Sequence, residues 1–447
     1  MRKMFALLTA IAAAGTSAAG AGSTARTGLV SRFAANADTY VSSAKKAANF
    51  GRARTLVVGA NPRSIAYVRF DLRGVDARVA RAKLRLYVRT PTRAGLSVAP
   101  ASPADWSESA VNYSNRPATG SRIAAVRARL RRGWVTVDVT RYAGRTYVVS
   151  LALTTLRGGR LSIASREDRA HAPRLLATLR RSSPQTLVAA GDIASCASTG
   201  DEQTAALVSQ IPGTVAALGD NAYESGTAAE YANCYAPTWG QFKARTRPVP
   251  GNHEYNTPGA TGYYGYFGAI AGDPAKGYYS YELGRWHVVA LNSNCAAIGG
   301  CGAGSPQEQW LRADLAAHPA FCTLAYWHHP RFSSGQVGDD MMTAGLWTAL
   351  QAYGADVVVV GHDHDYERFA PLLPDRTASP TRGIREFVVG TGGRSHFLFT
   401  RVTPNSEVRN DDTFGVLKLR LHAARYDWQF VPVAGKTFTD SGSGLCH

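Results

Sequence analysis

From about residue 37 to residue 179 the chain alternates apolar and polar positions with a period of two. Residues 82–89 read Ala-Lys-Leu-Arg-Leu-Tyr-Val-Arg, and residues 134–140 read Trp-Val-Thr-Val-Asp-Val-Thr. Successive residues of a strand face opposite sides of a sheet, so such runs bury one face and wet the other. Further short β-rich runs cover residues 55–59, 65–72, 147–153 and 174–179, with turn signals between them and no convincing helical period. The pattern predicts an antiparallel β-sandwich.

After the polar linker Arg180-Arg181-Ser182-Ser183-Pro184-Gln185 the grammar becomes strand, glycine turn, helix. Residues 186–190 end in Gly191-Asp192, and residues 215–218 end in Gly219-Asp220-Asn221-Ala222-Tyr223. Arg247-Pro248-Val249-Pro250 leads into Gly251-Asn252-His253-Glu254, and residues 322–327 end in His328-His329-Pro330. Four valines at 357–360, a run that reads as a strand buried on both faces, deliver Gly361-His362-Asp363-His364. Ser305-Pro306-Gln307-Glu308 is a capping box with proline at the first helical position, opening a helix through Ala317. A second helix is expected over residues 341–353, stopped by Gly354. Strands alternating with helices, with polar groups at the strands' carboxyl ends, predict an α/β domain whose site lies along one sheet edge.

A chain of 447 residues, 45% hydrophobic, has room for two domains with true cores. The expected division is a signal peptide at 1–25, a sandwich at 33–180 and an α/β domain at 186–447. Met1-Arg2-Lys3, the apolar residues 4–14 and the small residues Ala19-Gly20-Ala21 have the form of a secretory leader. That leader is too short to span a bilayer, and no later stretch reaches the length for a transmembrane segment, so the expected location is secreted or extracellular. Six cysteines agree with an oxidising destination, and none has CxxC spacing. Six allow fifteen connectivities. Cys295 and Cys301 flank a short glycine-containing loop, and Cys196 and Cys234 each follow a strand-end turn, which leaves Cys322 to join Cys446. The net charge of +18 is uneven: residues 1–183 carry 32 Lys+Arg and 8 Asp+Glu, residues 184–447 carry 18 and 24. The basic half is expected to dock on an anionic surface such as wall polymer, acidic polysaccharide or extracellular nucleic acid. The acidic half argues against a nuclease of duplex DNA.

The strand ends carry the candidate chemistry: Asp192, Asp220, Tyr223, Asn252, His328, His362 and His364. All are oxygen or imidazole donors for hard or borderline metals, and seven suit two ions better than one. His362 and His364 stand two apart in an extended backbone and so point into one cleft. Asp220, in the middle of the order, is placed to bridge. A metal pair that shares an activated hydroxide and clamps both oxygens of an in-line displacement belongs chiefly to phosphate-ester hydrolysis.

The first half resembles the DNRLRE-type secreted β-sandwich modules, themselves similar to carbohydrate-binding jelly rolls. The resemblance rests on Ala37-Asp38-Thr39-Tyr40-Val41, on Val68-Arg69-Phe70-Asp71-Leu72, on Trp106-Ser107-Glu108 with Asn115-Arg116-Pro117, and on Ala164-Ser165-Arg166-Glu167 with Pro173-Arg174-Leu175. Trp106 and Tyr113 are expected in core or loop packing. The ordered blocks of the second half resemble the calcineurin-like metallophosphoesterases, an α-β-β-α sandwich fold, and within them the purple acid phosphatase branch. That resemblance implies a first metal, Fe(III), on Asp192, Tyr223 and His364. It implies a second, divalent ion (Zn, Mn or Fe) on Asn252, His328 and His362, with Asp220 bridging. It implies His253 as general acid, and its H-x-P spacing selects His328 over His329, which then lies behind the site. Plant-type members carry further histidines after that block, whereas Arg331-Phe332-Ser333-Ser334-Gly335-Gln336 has none. Arg331, Arg394 and His396 are the remaining substrate-contact candidates, and His287, His318, His422 and His447 read as structural. The implied function is an exported phosphatase that hydrolyses small phosphate monoesters by in-line attack of a metal-bound hydroxide. The alternatives are a phosphodiesterase acting on nucleotides, phospholipid headgroups or wall polymers, and a cell-surface binding protein with a relict phosphatase domain.

Overall fold

The computed structural model describes residues 29–447 apart from positions 74, 76, 105, 145 and 182, so the leader expected at 1–25 lies outside the described residues. Strands from Leu29–Ala34 to Arg174–Arg180 form one 12-stranded antiparallel system. Its central strand, Arg78–Val88, buries Ala82, Leu84, Leu86 and Val88 and turns Arg81, Lys83, Arg85 and Tyr87 outward. The inward set packs with Leu56, Phe70, Leu151, Ile163 and Leu175 into one core. Three motif segments far apart in sequence converge in this sandwich. The Arg166 amide donates to Asp38 Oδ2 (2.7 Å), the Asp38 amide donates to Glu108 Oε1 (2.7 Å), and the Arg166 guanidinium meets Glu108 Oε2 at 2.6 Å. Trp106 is buried, with its indole N–H on Ser150 Oγ at 2.8 Å, while Tyr113 stacks under Arg116.

The rest of the chain stacks two sheets. The first runs Thr246–Val249, Thr214–Leu218, Gln185–Ala190, Gly415–Leu421, Arg425–Pro432, Ser441–Leu445, its first three strands parallel. The second runs Tyr279–Leu283, Trp286–Ala290, Cys322–Tyr326, Val357–Val360, Arg385–Val389, Tyr366–Phe369, Ser406–Asn410, with four parallel strands at its centre. The valine run shows why both faces had to be apolar. Val357 and Val359 enter the core between the sheets, with Leu187, Val215, Val288, Phe387 and Leu417. Val358 and Val360 face the helical layer, with Leu311 and Leu315 of Pro306–Ala317 and Leu346 and Trp347 of Ala344–Ala352. Each fully buried valine contributes about 1.5–3 kcal/mol. The helix expected from residue 341 opens as a 3-10 turn, Met341–Thr343, because the Asp340 carboxylate accepts the Met342 amide and ties down the first turn. Gly354 ends the helix with φ 71°. No helix among the described residues is long and apolar enough to cross a membrane.

The disulfides are Cys196–Cys234, Cys295–Cys301 and Cys322–Cys446, the pairing expected above. They close loops of very different length, with sequence separations of 38, 6 and 124. The chain-entropy model assigns about 5 kcal/mol to the longest loop and about 2 kcal/mol to the shortest. Replacing Cys322 and Cys446 together by alanine is therefore expected to lower the melting temperature more than replacing Cys295 and Cys301. Equal losses would show that loop length does not govern their effect.

Candidate metal centre

Every donor named above sits where a strand of the two-sheet domain ends. Asp192 follows Gln185–Ala190, Asp220 follows Thr214–Leu218, Asn252 follows Thr246–Val249, His328 follows Cys322–Tyr326, and His362 follows Val357–Val360. Parallel strands put these ends on one edge, which is how residues 170 positions apart come into contact. The turns are tight. Asp192, Asp220 and His362 hold φ of 60°, 49° and 73°, the left-handed region that non-glycine residues avoid at a cost of order 1–3 kcal/mol each. The preceding glycines are required by close approach. A Cβ on Gly251 would stand 2.1 Å from Asp220 Oδ1, and one on Gly361 would stand 2.7 Å from Asp192 Oδ2.

The donor atoms fall into two sets. In the first, Tyr223 OH lies 2.9 Å from Asp192 Oδ1 and 3.1 Å from His364 Nε2, which is itself 3.2 Å from Asp192 Oδ1. In the second, His328 Nε2 lies 3.1 Å from both Asn252 Oδ1 and His362 Nδ1. Asp220 Oδ2 stands between them, 3.0 Å from Tyr223 OH and 3.3 Å from His328 Nε2. The set has more lone pairs than protons: the one phenolic hydrogen of Tyr223 faces three acceptors. Ligands at 2.0–2.2 Å around an ion are separated by about 2.8–3.6 Å, and the observed spacings fall in that range. The residues therefore fit a pair of cations.

Electrostatics agree. Burial works against the charged forms of Asp192 and Asp220, yet the neighbouring histidines, His364 beside Asp192 and His328 beside Asp220, hold both below the usual carboxylate range. Burial likewise opposes charge on His328, but the carboxylates of Asp220 and Asp192 push it up to about 9. Burial and then the adjacent His328 bring His362 down to about 4. Burial and the two aspartates drive the Tyr223 phenol far up, so losing its proton requires positive charge beside it.

His253 lies at the rim of a cleft of about 270 Å³ that opens onto this cluster. Its Nδ1 donates to the Glu224 carbonyl at 2.7 Å, and its Nε2 is 3.8 Å from Asp220 Oδ2. Arg394 also lines the cleft, its guanidinium over the Tyr223 ring and 2.5 Å from Glu224 Oε1. The other two substrate-contact candidates lie elsewhere. Arg331 is buried, stacked on Phe332 and donating to the Pro374 carbonyl. His396 stacks on Phe414 at 4.0 Å and is not among the residues lining the cleft. His329 packs behind the site, 4.4 Å ring to ring from His362, with Nδ1 on Ser293 Oγ at 2.7 Å. His422 and His447 meet Asp427 and Asp356.

Sequence reasoning missed three contributors. Phe397 stacks flat on His364 at 4.0 Å, and Ser395 Oγ meets His364 Nδ1 at 2.7 Å. The third is Glu254, fully buried, whose carboxylate accepts the amides of Gly251 (2.6 Å), Asp220 (2.9 Å), Asn221 (2.8 Å) and Ala222 (3.3 Å) and the Tyr231 hydroxyl (2.9 Å). It binds the Asp220 turn to the Asn252 turn. Its adjacency to His253 was the available signal.

Two stacked sheets thus bring together paired donor sets that share one carboxylate, an arrangement that fits two metal ions. Residues 169–366 match the calcineurin-like phosphoesterase family, and residues 30–179 match carbohydrate-binding module family 96. The chain thus joins a β-sandwich similar to a carbohydrate-binding module to a domain similar to the calcineurin-like phosphoesterases, with purple acid phosphatases among its relatives. That family implies a binuclear metal centre. A Hordeum vulgare nucleotide pyrophosphatase/phosphodiesterase is 27% identical over 42% of this chain and 62% of its own length. Arabidopsis thaliana purple acid phosphatase 21 is 30% identical over 44% and 51%, respectively. A further Arabidopsis thaliana relative, purple acid phosphatase 27, whose name includes the word inactive, is 24% identical over 42% and 37%. The chain therefore spans little more than a third to under two thirds of these relatives. A purple acid phosphatase from yellow lupin (Lupinus luteus) seeds aligns in structure with TM-score 0.48 and 15% identity, over 87% of this chain and 73% of that one.

Glu254→Gln replaces an acceptor by an amide that must turn a donor toward backbone N–H groups. Metal affinity or turnover is expected to fall roughly 10–100-fold, the usual effect of losing a partner behind the ligands. Metal analysis and steady-state rates check this, and an unchanged metal content with an unchanged rate would refute the role.

Proposed function

We propose that the protein is an exported phosphatase that hydrolyses phosphate monoesters at a binuclear centre. The observation that carries this reading is the position of Asp220 Oδ2 between two complete donor sets, beside a histidine that faces the cleft. Asp192, Tyr223 and His364 would hold Fe(III), and Asn252, His328 and His362 a divalent ion (Zn, Mn or Fe), with Asp220 common to both. When bound, such a pair supplies Lewis acidity toward the phosphoryl oxygens and an activated water for in-line displacement. Because His253 Nδ1 is committed to the Glu224 carbonyl, Nε2 is the atom that gains and releases a proton. It serves the leaving-group oxygen as general acid. Arg394, held over Tyr223, faces the phosphate oxygens. Export is supported by the three disulfides.

A diesterase is the second reading, favoured by the relative named as a nucleotide pyrophosphatase/phosphodiesterase. Rates on a chromogenic monoester and a chromogenic diester, measured beside metal content, separate the two. Asp220→Ala is expected to lose metal and all hydrolysis, and full retention of both would end the two-metal reading. His253→Ala is expected to cost about 10²–10⁴-fold in kcat, least for esters with good leaving groups. In Tyr223→Phe a visible charge-transfer band should vanish. An active wild-type enzyme that is colourless and free of iron would refute the Fe(III) assignment.

The sandwich, in this reading, holds the enzyme on an acidic polysaccharide. Its basic excess is organised: Arg81, Lys83 and Arg85 stand across from Thr178, Leu176 and Arg174, with Arg32 opposite Leu176 on the next strand. Arg85 and Arg174 both lie over Trp134, at 4.7 and 5.0 Å. Among the described residues none of these five cations forms an ion pair. The full chain is expected to bind polygalacturonate at low ionic strength and release it as salt rises, and Lys83→Glu with Arg85→Glu should abolish binding. Salt-independent binding to a neutral glycan would make the charge incidental.

A further inference from the structure

We propose a second, mononuclear metal site for zinc, built by His287, Asp314 and His318 and oriented by Glu282, on the sheet edge opposite the candidate binuclear centre. His287 lies near the amino end of strand Trp286–Ala290, whereas the strand ends described above are carboxyl ends. It pairs across the hairpin with Glu282. Asp314 and His318 stand four apart at the close of helix Pro306–Ala317, a spacing that puts both on one face.

The geometry is convergent. His287 Nε2 is 2.7 Å from Asp314 Oδ2, His318 Nδ1 is 3.1 Å from Asp314 Oδ1, and one ligand atom from each of the three lies within 4.8 Å of the others. The two imidazoles stack nearly parallel, 15° apart with centroids at 5.0 Å. Tetrahedral zinc at 2.0–2.1 Å from nitrogen and 2.0–2.2 Å from oxygen separates its ligands by about 3.3–3.5 Å. The shortest pair, His287 Nε2 and Asp314 Oδ2, must therefore open by roughly half an ångström, which the place of Asp314 in the last turn of its helix can allow. His287 Nδ1 lies 2.9 Å from Glu282 Oε1. A ligand histidine that donates its other ring N–H to a carboxylate is fixed in tautomer and direction. With the ion in place one neutral His287 ring serves both contacts, Nδ1–H to Glu282 and the Nε2 lone pair to the metal. Two imidazoles and one carboxylate suit zinc rather than calcium or magnesium. A three-residue set leaves a fourth position open, and His318 and Glu282 border a cleft of about 410 Å³ that Arg78 and Tyr147 of the sandwich close from the other side.

The test uses the full-length purified protein, equilibrated with zinc chloride, desalted and analysed for metal. Wild type is expected to hold one zinc equivalent per chain more than His318→Ala and Asp314→Asn. All three proteins should turn over a soluble phosphate ester within about twofold of one another. Equal zinc content in wild type and both variants would overturn the site. A lost equivalent accompanied by lost turnover in both variants would also overturn it, because the metal would then belong to the binuclear centre.

Discussion

The structure of the candidate centre depends on how one carboxylate is held. Asp220 sits in a left-handed turn, with its amide on Glu254 and its Oδ1 on the His253 amide, and only Oδ2 is left to face both donor sets. Three buried carboxylates, Asp192, Asp220 and Glu254, crowd one strand edge, which is costly without compensating charge. Glu254 answers part of that cost with backbone amides, and burial together with Asp220 pushes it up to about 7. Asp192 and Asp220 lean on histidines, and the phenol between them offers both only its single hydrogen.

Strain at these turns is tolerated because the strands behind them are over-determined. Each of the turns at 192, 220 and 362 leaves a strand whose last four residues are buried and whose neighbours on both sides are hydrogen-bonded. Packing on two faces fixes the strand, and the strand fixes where its last residue must turn. The Val357–Val360 strand contributes side chains alternately to the inter-sheet core and to the helical layer, so no slip of register is available to relieve His362.

The two halves handle charge in opposite ways. The sandwich carries a row of cations near Trp134 that form no ion pair among the described residues, while the two-sheet domain buries acids at its strand ends and pairs them with histidines or backbone amides. Unpaired surface cations contribute little to stability and much to long-range attraction. Buried acids do the reverse, and they are concentrated where a metal would be held. The same +18 chain therefore presents basic residues on the surface of one domain and buried acids at the strand ends of the other.

The sequence alone determined the two-part architecture, because periods of two and of strand–turn–helix are local properties of side-chain direction. It also determined the donor inventory from Asp192 to His364, since each donor follows its own strand within a few residues, and it pointed to the disulfide pairing through one short loop, two strand-end turns and the two cysteines left over. The resemblance implied which donors share a set, and the tertiary structure shows how strand order brings them together: Asp192 meets His364, and Asn252 meets His328, across different sheets. It removed Arg331 and His396 from the cleft, since a guanidinium stacked on Phe332 and an imidazole stacked on Phe414 leave no local trace in sequence. It supplied Phe397, Ser395 and the roles of Glu254 and Glu282, which act through neighbours brought close by packing. It also gathered His287 and His318, which looked unconnected along the chain, around one aspartate, because the hairpin and the helix end meet only when the helix packs on its sheet.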